Sequence, residues 1–272
     1  MIASLPWQRS RRDRGSRRGQ VPSNKRYTPV RRLAGIRRRI RELLPGGRFP
    51  AVSTDDPSKI AGRTEFEVDV WALSRFVLAK LVPIVGIEPF PLHELMLMAA
   101  AVCRLKPAQI YEWGTHVGKS ARVFYGCATH YGIPTQIHSV DLPDDVAHVE
   151  HPQELRGRMV HGLRGVHLHQ GDGLDVSLAI WRQNGCLPSP LFFIDGDHSY
   201  ESVLRELSAV AAEIPNASAL LHDTFNQSPG SGYNVGPHRA IEDVQRAYPG
   251  RYGKIESGLG LPGMTLLYPQ TC

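Results

Sequence analysis

A chain of 272 residues is long enough for one large α/β domain with a core that needs no covalent staples. Its cysteines, Cys103, Cys127, Cys186 and Cys272, stand far apart with no C-x-x-C pair, which argues against a disulfide framework or a Cys-based zinc site and suits a reducing, cytoplasmic setting. The net charge of +6 is unevenly held: residues 1–48 carry 15 Lys and Arg against Asp13 and Glu42, a surplus of +13, while the other 17 bases and 24 acids leave the rest at −7.

Residues 1–58 read as a disordered basic tail and linker, since a polybasic segment with few large apolar residues cannot offset its ordering entropy. Its functional readings are a solvated leader, an arm for nucleic acid or an anionic membrane, or an Arg-rich transit peptide. Only Trp7 and Tyr27 supply the aromatic interleaving that nucleic-acid binding would favour. Residues 1–20 lack the apolar stretch of a secretory signal. The longest apolar run, Leu95 to Cys103, falls far short of the roughly 20 residues of a membrane span.

Residues 59–107 read as accessory helices. Phe66, Val70, Leu73, Phe76, Val77 and Lys80 outline an amphipathic helix, and Pro91 opens a second, nearly apolar one from Leu92 to Leu105. From residue 108 to 272, short apolar runs alternate with helical patterns, the signature of βαβ units and a parallel sheet. Strands are expected at 109–112, 136–141, 166–170, 191–195 and 219–222. Helices fit at 119–131, around 152–162, and at 176–184, 199–212 and 238–248. The last two strands, 253–256 and 264–268, form an antiparallel hairpin. The whole is a Rossmann-like α/β fold with a seven-stranded, mostly parallel sheet and helices on both faces.

In open parallel sheets ligands bind beyond the carboxyl ends of the strands, and here those ends carry Glu112, Asp141, Asp172, Asp195 and Asp223. Acids gathered at one edge repel one another, which favours a cationic ligand or metal among them. Gly114 and Gly118 permit a tight turn after Glu112 and close approach of a ligand. Gly118-Lys119-Ser120 ends like a P-loop, but that motif needs glycine where Trp113 stands, and an acid before the loop would face phosphate unfavourably. His167 and His169 share a strand face with no third ligand at metal spacing, and read as surface or packing residues.

Glu112-Trp113-Gly114-Thr115-His116-Val117-Gly118 resembles the first motif of class I SAM-dependent methyltransferases, with an acid two residues before a Gly-rich turn. Phe192-Phe193-Ile194-Asp195-Gly196-Asp197-His198-Ser199-Tyr200 resembles the D-G-D-H-S-Y motif of a subgroup that includes macrolide-sugar and cephalosporin-pathway O-methyltransferases. The likeness runs over residues 90–268. It implies S-adenosylmethionine held by Glu112, Gly114, Thr115, Gly118, Ser120, Asp141, Asp172 and Asp195, with Asp141 on the ribose hydroxyls and Asp172 at the adenine. It implies a divalent cation, Mg²⁺, on Asp195, Asp223 and Thr224, although Thr224 stands where the relatives carry Asn or Asp. Asp197 or His198 would take the acceptor's proton. The expected reaction is methylation of a hydroxyl on a small molecule or sugar. Two alternatives are a nucleic-acid methyltransferase that uses the basic tail and a non-catalytic SAM-fold binding protein. A homo-oligomer stays open.

Overall fold

The computed structural model describes residues 51–60, 65–146 and 155–270. The expectations for residues 1–50 lie outside them. Pro50–Cys272 forms one unit, and its first described residues are tied to it. Asp56 pairs with Lys106, and Ser58, almost fully buried, donates to Asp56 Oδ1 at 2.7 Å.

Asp69, not Phe66, starts the first helix, α1 (Val70–Phe76), by accepting from the Ala72 amide. The helix runs on through a π turn, Val77–Leu81, into α2 (Val82–Val85), which stops at Gly86. Helix α3 (Leu92–Leu105) is buried along most of its length because it is sandwiched in the core, which explains its lack of a polar face. One acid lies within this helix: Glu94, with no exposure at all.

The strands are β1 (Gln109–Trp113), β2 (Gln136–Asp141), β3 (Val166–Gln170), β4 (Leu191–Ile194), β5 (Ser218–His222), β6 (Tyr252–Ser257) and β7 (Met264–Pro269). The helices between them are α4 (Lys119–Tyr131), α5 (Gly173–Gln183), α6 (Tyr200–Glu213) and α7 (Gly236–Ala247). The sheet order is β3-β2-β1-β4-β5-β7-β6, with β1 to β5 parallel and β7 antiparallel to both its neighbours. The chain winds outward from β1 in one direction through β2 and β3, then in the other through β4 and β5. A crevice therefore opens between the carboxyl ends of β1 and β4.

Successive residues of a strand face opposite sides, so Phe192 and Phe193 serve two cores. Phe193 packs with Leu73, Met98 and Phe124 on one face, and Phe192 packs with Tyr111, Leu207 and Ile241 on the other. These two apolar layers fix the heights of the strand ends and hence the spacing of the side chains there. The helix expected around 152–162 is corrected: residues 155–162 form consecutive turns, and 151–154 lie outside the described residues.

Candidate active site

Beneath the turn after β1 lies a closed set of polar groups. Glu112 Oε1 accepts from Ser120 Oγ at 3.1 Å and from Ser139 Oγ at 3.0 Å, and Ser139 in turn meets Thr115 Oγ1 at 2.7 Å. Glu112, Thr115 and Ser120 are expected to touch the cofactor, but each is buried beneath the loop, Glu112 completely. Their mutual hydrogen bonds brace the turn from below. Burial pushes the Glu112 carboxyl up to about 8, against the pull of its two serine donors, so it is largely protonated at neutral pH.

Gly114 sits at φ 93°, and a Cβ there would stand 2.2 Å from the Asp195 carbonyl oxygen. The glycine is thus required by the protein's own backbone at the end of β4. Gly118, at φ 83°, precedes α4 and faces Val160 and Gly157 in the same way.

Asp141 ends β2 with part of its carboxylate open. Its Oδ1 accepts the Leu142 amide at 2.9 Å, and its Oδ2 accepts Arg156 Nε at 3.1 Å and the His116 amide at 3.3 Å. Arg156 was not anticipated, because its segment carries no strand or motif signal. Asp172, expected at the adenine, is part-exposed and takes two protein partners. One oxygen caps α5 through the Asp175 amide at 3.0 Å, and the other pairs with Arg205 Nη2 at 2.7 Å. The partners hold its carboxyl below the usual range against its own partial burial.

Beyond β4 and β5 stands a second group of opposite electrical character. His222 Nδ1 lies 3.0 Å from Asp195 Oδ1, and His222 Nε2 lies 3.2 Å from Glu94 Oε2. The other Glu94 oxygen accepts the Gly263 amide at 2.9 Å. His198 Nε2 is 3.4 Å from Asp195 Oδ1 and 3.5 Å from Asp223 Oδ2, within ion-pair range but outside good hydrogen-bond geometry. Burial works against charge at Asp195, yet the imidazoles of His198 and His222 hold its carboxyl below the usual range. Burial likewise opposes the charge on His222, but its bonds to Asp195 and Glu94 outweigh it and raise the imidazole to about 10. His198 is also raised, its desolvation overcome by Asp195 and Asp223.

Asp197 and Thr224 do not join this group. Both Asp197 oxygens are spent on the first turn of α6, on the Ser199 amide at 2.9 Å, Ser199 Oγ at 3.0 Å and Ser202 Oγ at 2.6 Å. These bonds, led by that from Ser202, lower its pKa and make it a poor base. Thr224 is buried and its hydroxyl accepts from Thr265 Oγ1 at 2.8 Å on β7. Of the residues expected to hold Mg²⁺, Asp195 and Asp223 both face His198, while Thr224 is turned toward Thr265. Asp195, His198 and His222 do bring their donor atoms within 4.8 Å of one another, but Nδ1 and Nε2 of His222 are both engaged by carboxylates.

The Gly-rich segment before α7 is tethered to the same place. Asn234 Nδ2 donates to the His198 carbonyl at 2.6 Å, and the Tyr233 hydroxyl lies 3.0 Å from the Pro262 carbonyl and 3.4 Å from Asp223 Oδ1. Phe90 closes the other side, its ring edge-on to His222 with centroids 4.9 Å apart. His167 and His169 gain a third imidazole, His138 of β2, but Phe192, Tyr111, His138 and His167 stack as cross-strand rungs, a packing arrangement.

Residues 111–224 match a family model described as a methyltransferase domain. Over those residues the chain is similar to a methyltransferase domain. A rhamnosyl O-methyltransferase of Mycobacterium leprae is 25% identical over a match that covers 54% of this chain and 63% of that protein, less than two thirds of its length. Among solved structures, an O-methyltransferase from Bacillus cereus in complex with SAH aligns at 15% identity and a TM-score of 0.49 over 87% of this chain and 97% of the other. The O-methyltransferase TomG of Streptomyces achromogenes aligns at 14% identity and a TM-score of 0.49 over 90% and 100%. No helix among the described residues is long and apolar enough to cross a membrane.

Proposed function

We propose that this chain moves the methyl group of S-adenosylmethionine to a hydroxyl oxygen of a small molecule or sugar, and that residues 108–272 carry the reaction. The observation that carries this reading is the pairing of two unlike sites across one crevice. The partly open carboxylate of Asp141 is suited to accept hydrogen bonds from two ribose hydroxyls. Beside the ends of β4 and β5, His198 presents a buried ring nitrogen between Asp195 and Asp223, where an acceptor hydroxyl would meet the sulfonium.

The cofactor, when bound, supplies an electrophilic methyl on sulfur. The acceptor oxygen forms its bond to that carbon as the sulfur–carbon bond breaks, and S-adenosylhomocysteine leaves. The hydroxyl proton passes to His198 Nε2, and the carboxylates of Asp195 and Asp223 compensate the imidazolium that results. Much of the remaining rate comes from holding the two reactants in line. The curated relative's name makes a deoxysugar hydroxyl the first acceptor to try. The free thiols of Cys103, Cys127 and Cys186 suit work in the reducing cytoplasm.

The test is a methyl-labelled SAM assay on the full chain against rhamnosides and phenols, with calorimetric titration of SAM and S-adenosylhomocysteine alongside. Cofactor binding at the micromolar level, about −8 kcal/mol, together with label on an acceptor oxygen is the expected result. Cofactor binding without transfer to any hydroxyl would favour a non-catalytic SAM-binding protein. Absence of cofactor binding ends the reading.

A further inference from the structure

The acid set on the ribose by the proposed function does not stand alone. Arg156, in the turns that precede β3, reaches it with a guanidinium whose three nitrogens are all engaged. Nε donates to Asp141 Oδ2 at 3.1 Å, Nη2 donates to the Leu142 carbonyl at 2.8 Å, and Nη1 pairs with Asp144 Oδ1. Only 14% of the side chain is exposed, so this differs from a solvated surface pair. A planar fork can serve acceptors at 141, 142 and 144 at once, whereas a lysine ammonium, a point charge on a flexible stem, could not.

The backbone that carries Arg156 is tied to the turn after β1. The Gly157 amide donates to the His116 carbonyl at 2.8 Å, and the Met159 amide donates to the Val117 carbonyl at 3.0 Å. Gly157 itself sits at φ 64°, and a Cβ there would stand 2.4 Å from Leu168 Cδ1 of β3. Arg156 is thus anchored on one strand's turn and acts on the end of the next strand. The last torsion of an aspartate is soft and broadly two-fold, so the donors around the carboxylate decide which way it faces. Here Oδ2 meets Arg156 and the His116 amide, and Oδ1 meets the Leu142 amide.

We propose that Arg156 is a positioning residue for the cofactor's ribose: its guanidinium fixes the rotation of the Asp141 carboxylate, so that the acid meets the diol already oriented. The inference rests on the methyl-transfer reading, in which Asp141 receives the ribose hydroxyls. A preset acceptor gives up little freedom when the ligand arrives, so the gain appears as cofactor affinity. None of the three bonds from Arg156 goes to Asp195, His198 or Asp223, and the transfer step at saturating cofactor should be untouched.

The test is calorimetric titration of the full chain with S-adenosylhomocysteine and with its 2′,3′-dideoxy analogue, which keeps the base and the amino acid but offers no diol. Arg156→Met is expected to weaken S-adenosylhomocysteine about tenfold, the order of one hydrogen bond to a charged group, and to change binding of the analogue by less than about twofold. A role confined to keeping the loop in shape would weaken both ligands alike. Arg156→Lys keeps the charge and most of the stem, serves where the methionine variant does not fold, and is expected to show a smaller loss with the same selectivity. Asp141→Asn should lose affinity just as selectively, and adding Arg156→Met to it should cost little more, because both act through one carboxylate. An equal loss for the two ligands, or S-adenosylhomocysteine bound by the Arg156 variants as tightly as by the original chain, overturns the proposal. The controls keep the readings apart. An original chain that binds no S-adenosylhomocysteine sinks methyl transfer and the proposal with it, whereas a selective loss in Asp141→Asn with none in the Arg156 variants overturns the positioning role alone.

Discussion

Glu112 and Asp195 lie at the ends of neighbouring parallel strands, the first fully and the second mostly buried, and they are in opposite states. Glu112 is offered only two serine hydroxyls, so burial wins and its carboxyl rises to about 8. Asp195 is offered two imidazoles, so its carboxylate keeps its charge despite burial. The lesson is that partners, not position on the sheet, decide what a buried acid does. At the end of β1 a neutral acid braces a loop; at the end of β4 a charged one is held between two imidazoles.

The sharpest break of that contrast is on the charged side. Replacing His198 with Gln removes the proposed base and should lower turnover by about 10²- to 10⁴-fold with SAM affinity nearly unchanged; a loss of less than tenfold in the labelled-SAM assay rules His198 out as the base. Asp195→Asn should strip His222 of one carboxylate partner. Breaking a buried ion pair from one side typically costs about 3 to 5 kcal/mol, to be read by chemical denaturation.

On the neutral side the sign is different. Because the folded Glu112 pKa lies above its ordinary value of 4.5, the unfolded chain gives up this proton first as pH rises. Stability from this group is full below about pH 4.5 and is lost as pH climbs through about 8. Glu112→Gln should remove that slope, so its stability relative to the original protein should improve from pH 5 to pH 8, and a flat difference across that range would show that Glu112 is ionised after all. His222 gives a later loss: its stabilisation is present below 6.5 and declines as pH rises through about 10. The smallest effect is expected at Thr224→Val, which loses one buried hydroxyl pair, about 1 kcal/mol, with no change in turnover or in response to added Mg²⁺.

The sequence was most legible where periodicity is strict. The strands at 109–113, 136–141 and 166–170 and the closing hairpin were placed to within about one or two residues, because alternating and buried apolar runs have few other uses. The site was legible only in part. Asp141, Asp195, His198 and Asp223 do converge on one edge, but the sequence could not say that Asp197 would cap its own helix, that Asp172 would pair with Arg205, or that Thr224 would turn toward Thr265. Those outcomes depend on χ angles and on neighbours from distant strands. Glu94 was lost inside a helix read only as nearly apolar. The signal was there, since a single acid in an apolar helix needs a buried partner, but its partner lies 128 residues away and no local pattern names it.

The contact between Gly114 and the Asp195 carbonyl has a consequence for how such a protein can change. With no room for even one methyl group between them, the turn after β1 and the end of β4 are keyed together and must move as one piece. New acceptor preferences cannot be reached by shifting one against the other. Any such change falls instead on the stretches that flank this keyed pair, the turn around Phe90 and the glycine-rich run before α7, whose side chains touch His222, His198 and Asp223.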